Sequence, residues 1–411
     1  MRVVIVGAGV AGCIMARNLA KLPGLEVTCL EQVARDDHSQ SGTGLNVGPN
    51  AVSAMRAQDP ELADAITAAS FAWKNWKVSL TDGTPLFDLP LSKVANDDGW
   101  RIRWSELYRV LRDATPNILY DCTIEDAGRS AANLHKSFIV CTQNGKRQRL
   151  DDIDLLIATD GRYSQIRSLV SGEPAIRHFG VAISRLLVPD NTGGLIDDYE
   201  QWFNGPNRLL AFRVPPDHIY VACTFPIEAN GAIGDSQKTP DALRAAYTPA
   251  HGKPSEQGRW LIDTVCEHAG DMHWARLQEH DALYSDATCD VLYLGDSAHG
   301  MVPTLGQGAT QAVEDACAAA DLIAHAWADG SRNPRQWLDA IDRLRRERMQ
   351  FVMQFSLEAT DTILAGGDPV AGTLHKTGQE FLSKLGRLYR KSHDHDENAD
   401  EIGLSAGRLT A

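Results

Sequence analysis

The 411-residue chain has no Cys-x-x-Cys pair and no Cys/His cluster at metal-ligand spacing. Its eight cysteines (13, 29, 122, 141, 223, 266, 289 and 317) are scattered singly. A metal centre or a disulfide framework is therefore not expected, and the cysteines read as small buried hydrophobes in a reducing compartment. No run of about 18 apolar residues is present, so no transmembrane helix is expected. Basic residues are also in short supply: 40 Lys+Arg stand against 54 Asp+Glu, for a net charge of −14. Nucleic acids and anionic membranes need a concentrated positive field, so neither is expected as the main partner. There is no internal repeat. The expectation is a cytoplasmic protein, monomer or homodimer, that acts on a small molecule.

What is present is ordinary globular material, with 43% hydrophobic and 23% charged residues. The length exceeds what one compact domain needs, which implies two lobes or one α/β domain carrying an insertion. Residues 2 to 6 form a β-branched run suited to a strand buried on both faces. A helical pattern over 10 to 22 closes at Pro23-Gly24, and Val27 to Leu30 reads as a second buried strand. The first 31 residues are thus a βαβ unit with parallel strands. Further on, Trp104 to Ala114 reads as a helix and Asp154 to Ala158 as a buried strand. Arg208 to Val214 and Ile219 to Thr224 flank Pro215-Pro216-Asp217, which predicts an antiparallel hairpin. Val291 to Leu294 is a short strand before a glycine-rich loop and a helix over about 309 to 329. Residues after Pro334 read as helical, and 393 to 411 as a mobile acidic tail.

Gly7-Ala8-Gly9-Val10-Ala11-Gly12 fits G-x-G-x-x-G between a strand and a helix, with Glu31 19 residues beyond. Gly7 permits the turn, and Gly9 lets the backbone approach a pyrophosphate at the helix N-terminus. Gly12 allows helix and strand to pack closely, while Glu31 is placed to accept hydrogen bonds from ribose hydroxyls. Val10, Ala11 and Gln32 fall in the same candidate site. This unit predicts a dinucleotide and leaves FAD and NAD open.

Three further segments carry a resemblance. Leu294-Gly295-Asp296-Ser297-Ala298-His299, Pro303, Gly306-Gln307-Gly308 and Glu314-Asp315 resemble the closing FAD motif of group A flavoprotein monooxygenases, the p-hydroxybenzoate hydroxylase-like family. Asp154 through Asp160-Gly161 to Ser164 and Arg167 is similar to that family's middle Asp-Gly motif. Gly42-Thr43-Gly44-Leu45-Asn46-Val47-Gly48-Pro49-Asn50 resembles its early flavin-facing loop. The motifs occur in family order over residues 3 to 323. The resemblance implies FAD as cofactor and NADH or NADPH as a transient co-substrate, consistent with the lack of a second G-x-G-x-x-G. It implies hydroxylation of an electron-rich ring by O₂ through a flavin C4a-hydroperoxide. Gly44, Leu45, Asp160, Gly161, Gly295, Asp296, Pro303, Gly306, Gln307, Gly308 and Ala309 join the candidate FAD residues. Asp296 is expected on the ribityl chain, and the helix beginning near Gly308 is expected to aim its dipole at the flavin.

One departure concerns the FAD-contacting arginine that relatives carry three residues before a leucine. Here that register holds Trp104, with Arg103 one position earlier, and Arg103 is the candidate for the role. A second concerns the histidine base of hydroxynicotinate-hydroxylating relatives, replaced by Asn46, which cannot abstract a proton at neutral pH. Arg208 matches a substrate-contacting arginine of urate-hydroxylating relatives. Candidate substrate contacts are Asn46, Arg185, Arg208, Phe212, Tyr220 and Pro303, with His299, Tyr220 and Arg208 as candidate catalytic residues.

The fold expected is α/β, a Rossmann-like FAD domain with an interleaved β-sheet substrate domain and C-terminal helices. The FAD domain is assigned 1–70, 101–175 and 281–330, the substrate domain 71–100 and 176–280, and the C-terminal helices 331–392. The function expected is hydroxylation of a hydroxyaromatic or N-heteroaromatic, hydroxypyridine-type ring. A same-fold halogenase or reductase and a non-catalytic FAD-binding redox module are the alternatives. Trp73-Lys-Asn-Trp76 lacks the halogenase Trp-x-Trp-x-Ile spacing, and the intact loop 303–308 argues against a mere binding module.

Overall fold

A computed structural model describes residues 1–37, 43–286 and 288–390. The expectations for Gly42 and for the 393–411 tail lie outside the described residues.

The β-branched run Arg2–Val6 is a central strand, paired in parallel with Glu26–Leu30 on one side and Leu155–Ala158 on the other. Its side chains from Val3 to Val6 are buried, as a strand covered on both faces requires. Val291–Tyr293 adds in parallel beside Leu155–Ala158, and two-residue strands close the edges of this six-stranded sheet. The first helix, Val10–Leu19, and the long helix Gln307–Ala328 pack against each other over the sheet. The strand ends that carry Gly7, Asp160 and Gly295 therefore open on one edge, where ligands of parallel α/β sheets bind.

The second large sheet has seven strands, with Ile176–Pro189, His218–Pro226, Asn207–Val214 and Tyr199–Asn204 at its centre. The hairpin expected around Pro215-Pro216-Asp217 is present, and its register pairs Arg208 with Thr224 and Phe212 with Tyr220. Leu209, Ala211, Ile219, Val221 and Cys223 face helices Pro240–Tyr247 and Glu256–Glu267, forming a separate core. Leu210, Phe212, Tyr220 and Ala222 alternate to the opposite face and join the core of the nucleotide sheet.

Two small sheets complete the strands. Gly44–Val47 and Phe71–Trp73 flank Gly99–Arg103, so of the stretch 71–100 only Asn75–Leu80 and Pro85–Pro90 enter the seven-stranded sheet. The other consists of Cys122–Arg129, Ser137–Gln143 and Lys146–Ile153. Helices Pro334–Glu358, Pro369–His375 and Gln379–Tyr389 follow the long helix. No described helix is long and apolar enough to cross a membrane.

Candidate active site

A cleft of about 450 Å³ lies between the open edge of the nucleotide sheet and the inner face of the seven-stranded sheet. From the nucleotide side it is lined by Gly9, Val10, Ala11, Gly161, Gly295 and Asp296, and by Pro303, Gly306, Gly308 and Ala309 before and within the long helix. Gly44, Leu45 and Asn46 form one wall, and Arg185, Arg208 and Tyr220 come from the facing sheet. Segments up to about 300 residues apart in sequence thus meet in one cavity.

The glycine-rich turn is closed by contacts that leave no room for side chains. A Cβ on Gly12 would fall 1.9 Å from the Gly7 carbonyl oxygen, whereas one on Gly9 would meet nothing nearer than the Thr159 carbonyl at 3.9 Å. Gly7 and Gly12 therefore shape the turn from behind, and Gly9 presents bare backbone to the cleft. Glu31 is buried, accepts from the Ala8 N–H at 2.7 Å and sits 3.4 Å from Arg112. Gln32 is exposed and lies off the cleft lining. Asp296 faces the cleft, 38% exposed, with its nearest ion-pair partner, Arg162, at 3.9 Å.

These features fit FAD. Backbone approaches closely where a pyrophosphate needs N–H donors, and a carboxylate with spare lone pairs stands where polyol hydroxyls need an acceptor. Gly306 caps the long helix in the left-handed region, φ 65°, and a Cβ there would strike Asn46 Nδ2 at 2.6 Å.

Several expected contacts are corrected by burial. His299 does not reach the cleft: it is fully buried, with Nε2 2.5 Å from Asp315 Oδ2. Burial opposes ionisation of Asp315, but His299 and Arg345, whose Nε is 2.8 Å away, outweigh it and hold the carboxyl well below the usual range. Arg345 and Arg348 also pair with buried Glu314 at 3.2 and 2.8 Å. Phe212 is fully buried, wedged between Tyr199 and Tyr220 with centroids at 5.8 and 4.7 Å, behind the cleft wall. The Gln307 side chain turns inward to Asn50 and Gln311 rather than to the cleft. Asp160 caps the next helix through Ser164 and the Ile166 N–H, and burial raises its pKa, so only Gly161 of that pair lines the cavity. Arg103 is not part of the lining, whereas Trp104 is.

The facing sheet holds the strongest electrostatic feature. Arg208 is 4% exposed, and among the described residues it has no carboxylate partner and its buried Nε has no acceptor. Burial pulls its pKa down, against the opposing influence of Tyr199, Tyr220 and Tyr247. Arg185, half-buried in the same lining, has no ion-pair partner there either. Burial raises the Tyr220 phenol against the pull of Arg185 and Arg208, and pushes Tyr199 up to about 12. Both phenols are therefore neutral donors.

Sequence reasoning did not assign Tyr108, Arg162 or Tyr199, which also line the cleft. Arg162 directly follows Asp160-Gly161, which was a usable signal, and it donates to the Met301 carbonyl at 3.1 Å. Tyr199 lies on the strand Tyr199–Asn204, which the turn signals Asn191-Thr192-Gly193-Gly194 before it and Gly205-Pro206-Asn207 after it could have marked.

The fold and cleft define a flavin-dependent oxidoreductase of mixed α/β architecture. Residues 132–356 match the family model described as FAD binding domain. Over 371 residues the chain is 26% identical to 2-heptyl-3-hydroxy-4(1H)-quinolone synthase of Pseudomonas aeruginosa, covering 87% of this chain and 88% of that protein. It is 24% identical over 377 residues to 6-hydroxynicotinate 3-monooxygenase of Pseudomonas fluorescens, covering 87% and 91%. The crystal structure of Klebsiella pneumoniae HpxO complexed with FAD and uric acid superposes with a TM-score of 0.75 at 18% identity, covering 95% and 96%. The chain belongs to the FAD binding domain family and is a group A flavoprotein monooxygenase that hydroxylates aromatic rings, with FAD as cofactor and NADH or NADPH as electron source.

Proposed function

We propose that the substrate is an electron-rich hydroxyaromatic or hydroxypyridine-type ring bound as an anion against Arg208 and Arg185. The observation that carries this reading is the buried, unpaired Arg208 guanidinium in the cleft wall. A buried cation is costly unless a ligand supplies the counter-charge. A substrate phenolate or carboxylate does so through charge-assisted hydrogen bonds. The names of the quinolone and hydroxynicotinate relatives support a nitrogen-containing ring.

Bound FAD supplies oxygen activation with electrons taken from NAD(P)H. Gly9, Val10 and Ala11 would hold its pyrophosphate, Glu31 a ribose, Asp296 the ribityl hydroxyls, and Gly306, Gly308 and Ala309 the ring edge. Asn46 offers an amide and Tyr220 a neutral phenol, so neither serves as a strong base. Arg208 instead lowers the pKa of a ring hydroxyl placed beside it, which favours the phenolate that activates the ortho and para carbons. Pro303, Leu210 and Ile183 exclude water from the reacting face.

The test is a panel of hydroxybenzoates and hydroxypyridine carboxylates scored by stimulated NAD(P)H oxidation and by hydroxylated product. Anionic members should raise oxidation and yield product, while their methyl esters or O-methyl ethers should not. Equal stimulation by neutral and anionic members would sink the proposal.

A further inference from the structure

We propose that Tyr108, seated by Trp104 and Arg112, takes the place of the missing FAD-contacting arginine by donating its hydroxyl to the cofactor pyrophosphate. This goes beyond the substrate reading above and does not depend on it.

Three observations on helix Trp104–Asp113 carry it. First, Trp104 and Tyr108 lie one turn apart, their rings 5.3 Å from each other, and both line the cleft beside Gly9, Val10 and Ala11. Second, the Tyr108 hydroxyl makes no hydrogen bond to any described residue, although the ring is half-buried. Burial opposes its ionisation, against the pull of Arg112, and the charges of Asp296 and Glu31 add to the opposition. The pKa is pushed up to about 12, so the O–H is retained at every pH of interest. Third, neither nearby arginine of this segment, Arg103 or Arg112, lines the cleft. Arg112 donates from Nε to the Ala8 carbonyl at 3.0 Å and lies 3.4 Å from Glu31. Its guanidinium covers the Tyr108 ring at 5.0 Å, fixing that ring instead of reaching the ligand. Arg103, whose backbone pairs across strands with Gly44, has a buried Nε without an acceptor, but its side chain lies near His218, outside the lining.

A phenol donating to a phosphate oxygen forms a charge-assisted hydrogen bond, stronger than one between neutral groups. The experiment is the dissociation constant of FAD from holoenzyme, read by recovery of free-flavin fluorescence on serial dilution, for Tyr108→Phe and Arg103→Gln. Phe keeps the ring beneath Arg112, so the helix packing is preserved. Tyr108→Phe should weaken FAD about tenfold or more, and Arg103→Gln should stay within about threefold. An unchanged constant in Tyr108→Phe overturns the proposal. A loss of tenfold or more in Arg103→Gln also overturns it, because the arginine would then hold the role.

Discussion

Replacing Arg208 with Met should stabilise the protein while crippling its use of substrate, and the opposite signs make this the sharpest test of the site. The side chain is 4% exposed, its Nε lacks an acceptor and no described carboxylate pairs with it. An unsatisfied buried donor costs about 1–3 kcal/mol, and methionine fills a similar volume without that cost. The denaturant midpoint of the holoenzyme, measured without substrate, should therefore rise. With an anionic substrate bound, the lost partner should cost about 2–5 kcal/mol, or roughly thirtyfold to several thousandfold in kcat/KM. Stabilisation by ligand gives a second readout, since wild type gains about 2.7 kcal/mol at a hundred times the dissociation constant. The variant should gain less than about 1 kcal/mol at that concentration. A variant that is less stable without substrate would show that Arg208 has a structural partner. Unchanged kcat/KM would show that the anion binds elsewhere.

Two further perturbations address the cofactor turn and the fold. Gly12→Ala puts a methyl group 1.9 Å from the Gly7 carbonyl and should lower the unfolding midpoint together with the FAD-to-protein absorbance ratio. Gly9→Ala meets only Thr159 at 3.9 Å and should lose FAD while retaining the apo-protein's midpoint. Equal destabilisation by both would refute the division of labour. Asp59 is held at about 2, because Arg17, Lys21 and the Leu62 N–H together outweigh burial, which alone would raise it. A depressed carboxylate stabilises the fold above the unfolded value of 3.8 and loses that contribution as pH falls towards 2. Asp59→Asn should therefore cost about 2 kcal/mol above pH ~5, measured by denaturant unfolding. The gap to wild type should close on acidification, and a pH-independent gap would contradict the assignment.

The nucleotide half of the molecule was legible because its signals are local. A β-branched strand, three glycines and a strand-end acid each have one backbone solution, and they occur where the sequence placed them. The hairpin was legible from its prolines. The facing sheet was harder, since Asn207–Val214 and His218–Pro226 are buried on both faces and their apolar runs do not tell which side meets the cleft. Phe212 and Tyr220 consequently looked equivalent, though one is a cross-strand spacer and the other lines the cavity. His299 could not be placed at all from sequence. Its partner Asp315 lies one helix away, and their pairing depends on how the loop after Val291–Tyr293 docks on Gln307–Ala328. Of the three strands from Cys122 to Ile153, which were not assigned, the hairpin Ser137–Gln143 with Lys146–Ile153 was legible from Asn144-Gly145, both at positive φ, whereas Lys146–Ile153 itself is almost wholly polar.

Net charge misleads for a related reason. The chain carries −14, yet the cleft presents Arg162, Arg185 and Arg208 against the single carboxylate of Asp296. Glu314 and Asp315 on the long helix are both buried outside the cleft lining. Arg345 and Arg348 from the next helix occupy their oxygens, together with His299, Asn50, the Tyr284 hydroxyl and the Gly295 N–H. Acid is thus paired off in the interior while guanidinium is left unpaired at the cavity wall. The stabilities of the two arrangements differ accordingly. A buried pair with saturated hydrogen bonds roughly breaks even, whereas a lone buried cation is a net cost in the absence of a ligand. Such a cost is offset only by a bound anion, and a neutral ring would leave Arg208 a permanent liability. The local pattern of paired and unpaired arginines therefore supports the anionic substrate proposed above, although the total charge of the chain has the sign that would repel it.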